Sequence, residues 1–119
     1  MHTIIPGLAF KGERLWASFG VMGGDYQPVG HSRLIVNMQD YGMDPQEAID
    51  APRVMAYPGP LQVENGISAA ALDGLRARGH EPVPAAAPWG GGQAIVVDHE
   101  RGVLLGGSDP RKDGFALGY

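Results

Sequence analysis

The chain is expected to fold as a single α+β domain, a layered sandwich with antiparallel strands, spanning residues 1–119. Three observations predict this. Two pairs of short apolar segments, each joined by a tight polar turn, lie towards the two ends of the chain. Helical patterns are grouped between them. Nineteen glycines and ten prolines punctuate short elements without forming a low-complexity tract, which implies many tight turns.

Residues 3–10 read as a strand weakened by Pro6-Gly7, and residues 15–21 as its hairpin partner across Lys11-Gly12-Glu13-Arg14. From Gln27 to Tyr41 the pattern becomes helical, with Leu34, Met38 and Tyr41 on one face and Gly42 as the stop. Asp44 is placed as an N-cap, Pro45 suits the first helical position, and Glu47 completes a capping box. That helix must stop before Pro52. Residues 60–64 form a short strand ending at Asn65-Gly66. Ser68 then caps a helix running through Arg78, and Gly79 closes it. Residues 93–98 and 103–106 make the second hairpin, and their continuous apolar runs predict burial on both faces.

Composition narrows the chemistry. Hydrophobic residues at 44% and charged residues at 18% belong to a globular chain. No apolar run approaches the roughly 18 residues of a membrane span, and no signal peptide precedes the first strand-like segment. With a net charge of −4 and nine scattered basic residues, nucleic acid is not an expected partner. The absence of cysteine excludes disulfides, thiolate catalysis and cysteine zinc sites. The four histidines, His2, His31, His80 and His99, lack metal-ligand spacing, so a metal site is not expected.

Gly23-Gly24 is the feature with most chemical content. Glycines between a strand and a helix let backbone N–H groups approach a ligand, and the helix start adds a positive dipole end. Two such N–H groups can hold an oxyanion; the same pair also suits an ordinary strand-to-helix turn. His2-Thr3 offers an imidazole and a hydroxyl without an acid nearby in sequence. Gly91-Gly92-Gln93 reads as a turn into a strand. Trp89 either lines a pocket or covers the core edge. The Asp–Arg pair in Ser108–Gly114 reads as a loop brace.

Several segments together resemble the γ-glutamyltranspeptidase family. They are Phe19-Gly20-Val21-Met22-Gly23-Gly24, then Gln27-Pro28-Val29-Gly30-His31, and then Asp40 through Arg53. Val63-Glu64, Arg78-Gly79-His80, Gly92-Gln93-Ala94-Ile95 and the ending Gly107–Gly114 with Gly118-Tyr119 also match. The resemblance covers essentially the whole chain. It implies the C-terminal portion of an N-terminal-nucleophile hydrolase-type αββα sandwich. It also implies an acyl-enzyme reaction on γ-glutamyl compounds such as glutathione, with no cofactor.

By that resemblance Gly23 and Gly24 match the oxyanion-hole glycines. His2 and Thr3 fall where many members bind the glutamyl α-carboxylate with a Ser-Ser pair, so only one hydroxyl is kept. The implied partners are a γ-glutamyl small molecule and the remainder of the enzyme, meaning a large subunit and the N-terminal part of the small subunit. The resemblance places the threonine nucleophile there, upstream of Met1, so the chain alone is expected not to hydrolyse γ-glutamyl amides. Self-association is expected of such a half-sandwich. A cephalosporin or glutaryl acylase-type portion and a non-catalytic assembly module are the alternative functions. Family members imply a periplasmic or secreted location, with the cytoplasm left open.

Overall fold

The computed structural model describes residues 3–56 and 59–119. Strands β1 (Gly7–Lys11) and β2 (Arg14–Met22) lead through a 3-10 turn (Gly24–Tyr26) to helices α1 (Gln27–Gln39) and α2 (Pro45–Asp50). Strands β3 (Val54–Ala56) and β4 (Leu61–Val63), helix α3 (Ala69–Ala77) and strand β5 (Pro82–Pro84) follow. Then come β6 (Gly91–Asp98), β7 (Val103–Ser108) and a last 3-10 turn (Pro110–Lys112). Two compact units emerge. The first holds the described residues up to Asp50 together with Gly90–Tyr119, and the second holds Ala51–Trp89.

The first unit is a four-stranded antiparallel sheet in the order β1-β2-β6-β7. The two hairpins read from the sequence thus pair through their inner strands, with Met22 opposite Gly91 and Ser18 opposite Ile95. Helix α1 packs on β2, and α2 on β6 and β7. Between them lies a core of Ala17, Val21, Tyr26, Leu34, Met38, Ala48, Ile49 and Ala94. Burying a side chain such as Ile49 contributes about 1.5–3 kcal/mol. Gly30 lets α1 approach this closely: a Cβ there would stand 2.5 Å from Val21 Cγ1. Between the helices, Asn37 Nδ2 donates to the Ala48 carbonyl at 3.2 Å, satisfying a buried amide.

Local signals are borne out where their partners are near in sequence. Asp44 and Glu47 form the reciprocal capping box: Glu47 N–H donates to Asp44 Oδ1 at 2.8 Å and Asp44 N–H to Glu47 Oε2 at 3.0 Å. Ser68 Oγ accepts from Ala71 N–H at 3.2 Å at the start of α3.

Three expectations need correction. The first strand begins at Gly7, not at residue 3, because Pro6 has no N–H to give to a ladder. Helix α1 ends at Gln39, so Tyr41 leaves the apolar face and is 72% exposed. The β6–β7 hairpin is not buried on both faces, and on β7 the residues from Val103 to Gly106 are exposed throughout. Ala94 is buried on the helix side, while Ile95 and Leu104, on the opposite face, are exposed. The helices of this unit cover just one side of the sheet.

The β6–β7 turn is fastened by Asp98. Its Oδ1 accepts from the Glu100 and Arg101 N–H groups, each at 3.0 Å. The Arg101 N–H foremost, aided by the Glu100 N–H and the nearby Arg101 and His99 charges, lowers the Asp98 carboxyl below the usual aspartate range against a smaller opposing effect of desolvation. A depressed folded-state pKa contributes stability that is present above the ordinary aspartate value and lost as pH falls through the folded one. Asp98→Asn is therefore expected to be less stable than the parent at neutral pH. The gap should narrow as pH falls below the ordinary aspartate value of about 4, where the unfolded carboxylate takes up a proton, and close below the lowered folded-state value. Urea denaturation across this range checks it; a gap independent of pH would defeat the assignment.

In the second unit β3 pairs antiparallel with β4, and β4 pairs parallel with β5. The reading of residues 60–64 as a strand holds as β4. Helix α3 packs on β5. Arg53, buried at 3% exposure, donates its N–H to Glu64 Oε2 at 3.1 Å and its Nη1 to the Trp89 carbonyl, while Trp89 N–H donates to Glu64 Oε1 at 2.9 Å. Glu64 thus holds the two ends of this segment together through two backbone amides.

Candidate functional site

Strand β2 runs out at Met22 and the chain must turn into α1 within four residues. Gly23 adopts φ 130° and Gly24 φ 58°, both in the region that L side chains rarely enter. Gly23 carries the tight part of the turn: its carbonyl accepts from Tyr26 N–H at 3.1 Å, and a Cβ on it would meet Gly90 Cα at 2.9 Å. Around Gly24 the space is open, with nothing within 4 Å of a Cβ position. Both glycines are exposed. Among the described residues, no backbone carbonyl accepts from either of their N–H groups.

The floor under this turn is built from the first unit. Tyr26 is 1% exposed and Gly90 is buried beneath Met22. Gly91 pairs with Met22, and Gly92 N–H donates to Asp109 Oδ2 at 2.7 Å. Asp109 is fully buried; its Oδ1 accepts from Arg111 N–H at 3.0 Å and faces the Arg111 guanidinium at 3.4 Å. Arg111 also donates to the Ile49 and Asp50 carbonyls at 3.1 and 2.9 Å. The Asp–Arg pair of the tail therefore braces, as its sequence implied. It does so around β6, where Gly91-Gly92-Gln93 is strand and not turn.

Thr3 is exposed and its carbonyl accepts from Gln27 Nε2 at 2.7 Å. Gln27 opens α1, three residues after Gly24, so the structure brings Thr3 to the start of the helix that follows the glycine pair. His2 lies outside the described residues. His31, read from the sequence as a helix residue and as part of the Gln27–His31 family segment, contacts the Ile5 carbonyl through Nε2 at 2.8 Å and the Gln27 carbonyl through Nδ1 at 2.8 Å. Its ring lies against Phe19, centroids 5.6 Å apart. The sequence marked Gln27 and His31 only as the ends of a family segment and gave their side chains no contacts; their four-residue spacing on a helix was the available signal. Trp89 is half-buried and its backbone is held by Arg53 and Glu64. Among the described residues no group of three or more His, Asp or Glu is arranged to hold a metal ion, and no helix is long and apolar enough to cross a membrane.

A family model described as gamma-glutamyltranspeptidase matches residues 1–119. The chain belongs to the γ-glutamyltranspeptidase family. It is 37% identical over 98% of its length to the glutathione hydrolase-like YwrD proenzyme of Bacillus subtilis, of which it spans 24%. It is 34% identical over 100% of its length to the glutathione hydrolase proenzyme of Escherichia coli, spanning 21% of that protein. The chain thus corresponds to under a quarter of the length of these relatives. Among solved structures, it is similar to a cephalosporin acylase from Bacillus halodurans, with a TM-score of 0.88 and 40% identity, covering 99% of this chain and 23% of that one. A Helicobacter pylori γ-glutamyltranspeptidase mutant superposes with a TM-score of 0.83 at 29% identity, over 93% of this chain and 62% of that one. The mixed α and β layers match a portion of the N-terminal-nucleophile hydrolase fold of these γ-glutamyltranspeptidase and acylase structures, as the motifs implied.

Proposed function

We propose that this γ-glutamyltranspeptidase-family chain is the part of an amidohydrolase that supplies the oxyanion hole for acyl transfer from γ-glutamyl compounds of the glutathione type. Gly23 and Gly24 are its donors, and Thr3, with His2, faces the glutamyl end of the substrate. The observation that carries this is the glycine pair itself: two exposed, positive-φ residues in succession whose N–H groups are not taken by backbone carbonyls among the described residues. When a threonine hydroxyl from the remainder of the enzyme adds to the amide carbonyl, the oxygen gains negative charge, and fixed N–H donors hold it without reorganisation. The acyl–nitrogen bond then breaks and the amine leaves with a proton. Water or an acceptor amine takes the acyl group.

The remainder of the enzyme is the proposed partner. Leu8, Ile95 and Leu104 lie on the sheet face opposite the helices and are exposed in this chain. A large apolar face of this kind favours a covering layer; a second copy of the chain is the lesser alternative.

Gly24→Ala in the assembled enzyme tests the donor role. The space around Gly24 is open, so the fold should survive at the left-handed cost of about 1–2 kcal/mol. The added methyl crowds the site where the oxyanion would sit. Turnover of a γ-glutamyl anilide is expected to fall about tenfold or more, part of the 10²–10³ that losing a whole donor costs. Unchanged kcat in a folded variant would reduce the pair to a turn. The 40% identity to a cephalosporin acylase favours a second reading, a cephalosporin or glutaryl acylase-type portion. Parallel assays with γ-glutamyl and glutaryl anilides separate the two.

A further inference from the structure

Residues 3–6 precede β1 and belong to no sheet ladder, yet two of their carbonyls are held by side chains one turn apart on α1. Gln27 Nε2 donates to the Thr3 carbonyl at 2.7 Å, and His31 Nε2 meets the Ile5 carbonyl at 2.8 Å. The spacing has a physical basis. Side chains four residues apart on a helix are about 6 Å apart along its axis. Carbonyls two residues apart on an extended chain point the same way, about 6.6 Å apart. The two periods match, so the helix offers two rungs for two carbonyls. A slip of one residue would turn both carbonyls away and reverse every side chain of the segment. The Phe19 contact keeps the His31 ring in place; a neutral ring carries one N–H, and the clip uses the tautomer in which Nε2 donates to the Ile5 carbonyl.

We infer that Gln27 and His31 are positioning residues that fix the register of residues 3–5 against α1 and so set the place of Thr3 relative to Gly23 and Gly24. They touch no reacting atom. Their effect on catalysis passes through Thr3, and this consequence rests on the acyl-transfer reading above. The clip itself does not.

The test uses Gln27→Glu, which replaces the donating amide by an acceptor of the same shape, and His31→Phe, which keeps a ring against Phe19 without nitrogen. In the 119-residue chain, ¹⁵N relaxation should show the order parameters of residues 3–5 falling from about 0.85 in the parent to below about 0.6 in the double variant, with β2 and β6 unchanged. Order parameters that stay at the parent value overturn the clip. In the assembled enzyme, KM for a γ-glutamyl anilide should rise about two- to tenfold with kcat within twofold, the pattern of lost uniform binding. His31→Gln, which restores one donor, should recover part of the loss. A variant that loses kcat at unchanged KM overturns the positioning role. If the parent enzyme transfers no acyl group, the proposed function fails and the relaxation measurement alone decides the clip.

Discussion

Alanine in place of Gly90 is expected to destabilise the first unit by about 2–5 kcal/mol, the sum of two costs. Gly90 sits at φ 60°, where an L side chain costs about 1–2 kcal/mol. Its new Cβ would also stand 2.3 Å from the Met22 carbonyl oxygen and 2.7 Å from Tyr26 Cδ1. Neither neighbour can retreat easily: Met22 is paired with Gly91 in the sheet, and Tyr26 is 1% exposed. Overpacking of this kind adds about 1–3 kcal/mol. Gly12 provides the control. Its φ is 62° and nothing lies within 4 Å of its Cβ position, so Gly12→Ala should show the backbone cost alone. Urea denaturation of the two variants measures the difference. Equal losses would mean that the floor beneath Gly23 gives way freely. Because Met22 leads directly into Gly23, the Gly90 variant should also disturb the proposed donors.

Asp109→Ala is expected to cost about 3–5 kcal/mol, the range for breaking a buried ion pair from one side. The carboxylate is fully buried and accepts from Gly92 N–H, Arg111 N–H and the Arg111 guanidinium. Its removal takes the acceptor from a buried strand amide and the counterion from an arginine whose side chain is 16% exposed. Asp109→Asn keeps one carbonyl acceptor, so its loss should be smaller, about 1–3 kcal/mol. A thermal melt of both variants checks the order. Added salt should change the parent little, since a pair this buried is weakly screened. An alanine variant within about 0.5 kcal/mol of the parent would show that the tail is not held by this carboxylate.

Much of the fold was legible because its determinants are local. The capping box of Asp44 and Glu47 joins residues three apart, and the Ser68 cap does the same. The two hairpins were marked by turn residues between apolar runs. Strands β3 and β5 went unread: β5 begins and ends in proline, which argues against a strand, and β3, as short as the β4 that was read, directly follows Pro52-Arg53. The error at Tyr41 has a similar source, since the apolar periodicity continues one turn past the point where the backbone leaves the helix.

The sequence by itself determined the family, the order of the main elements and the presence of a glycine pair between a strand and a helix. These depend on residue type at short range and on motifs that can be read in a line. Only the tertiary structure decided what those motifs touch. It gave Gly23 and Gly24 their positive φ values, set Gly90 beneath the turn, and closed Asp109 on Gly92 across seventeen residues. It also tied Thr3 to Gln27 across twenty-four residues, Ile5 to His31 across twenty-six, and Trp89 to Glu64 across twenty-five. The reason is that a hydrogen bond or an excluded volume acts over a few ångströms of space. Two residues far apart in the chain meet only after packing of the sheet and helices has chosen their neighbours, and no local pattern records that choice.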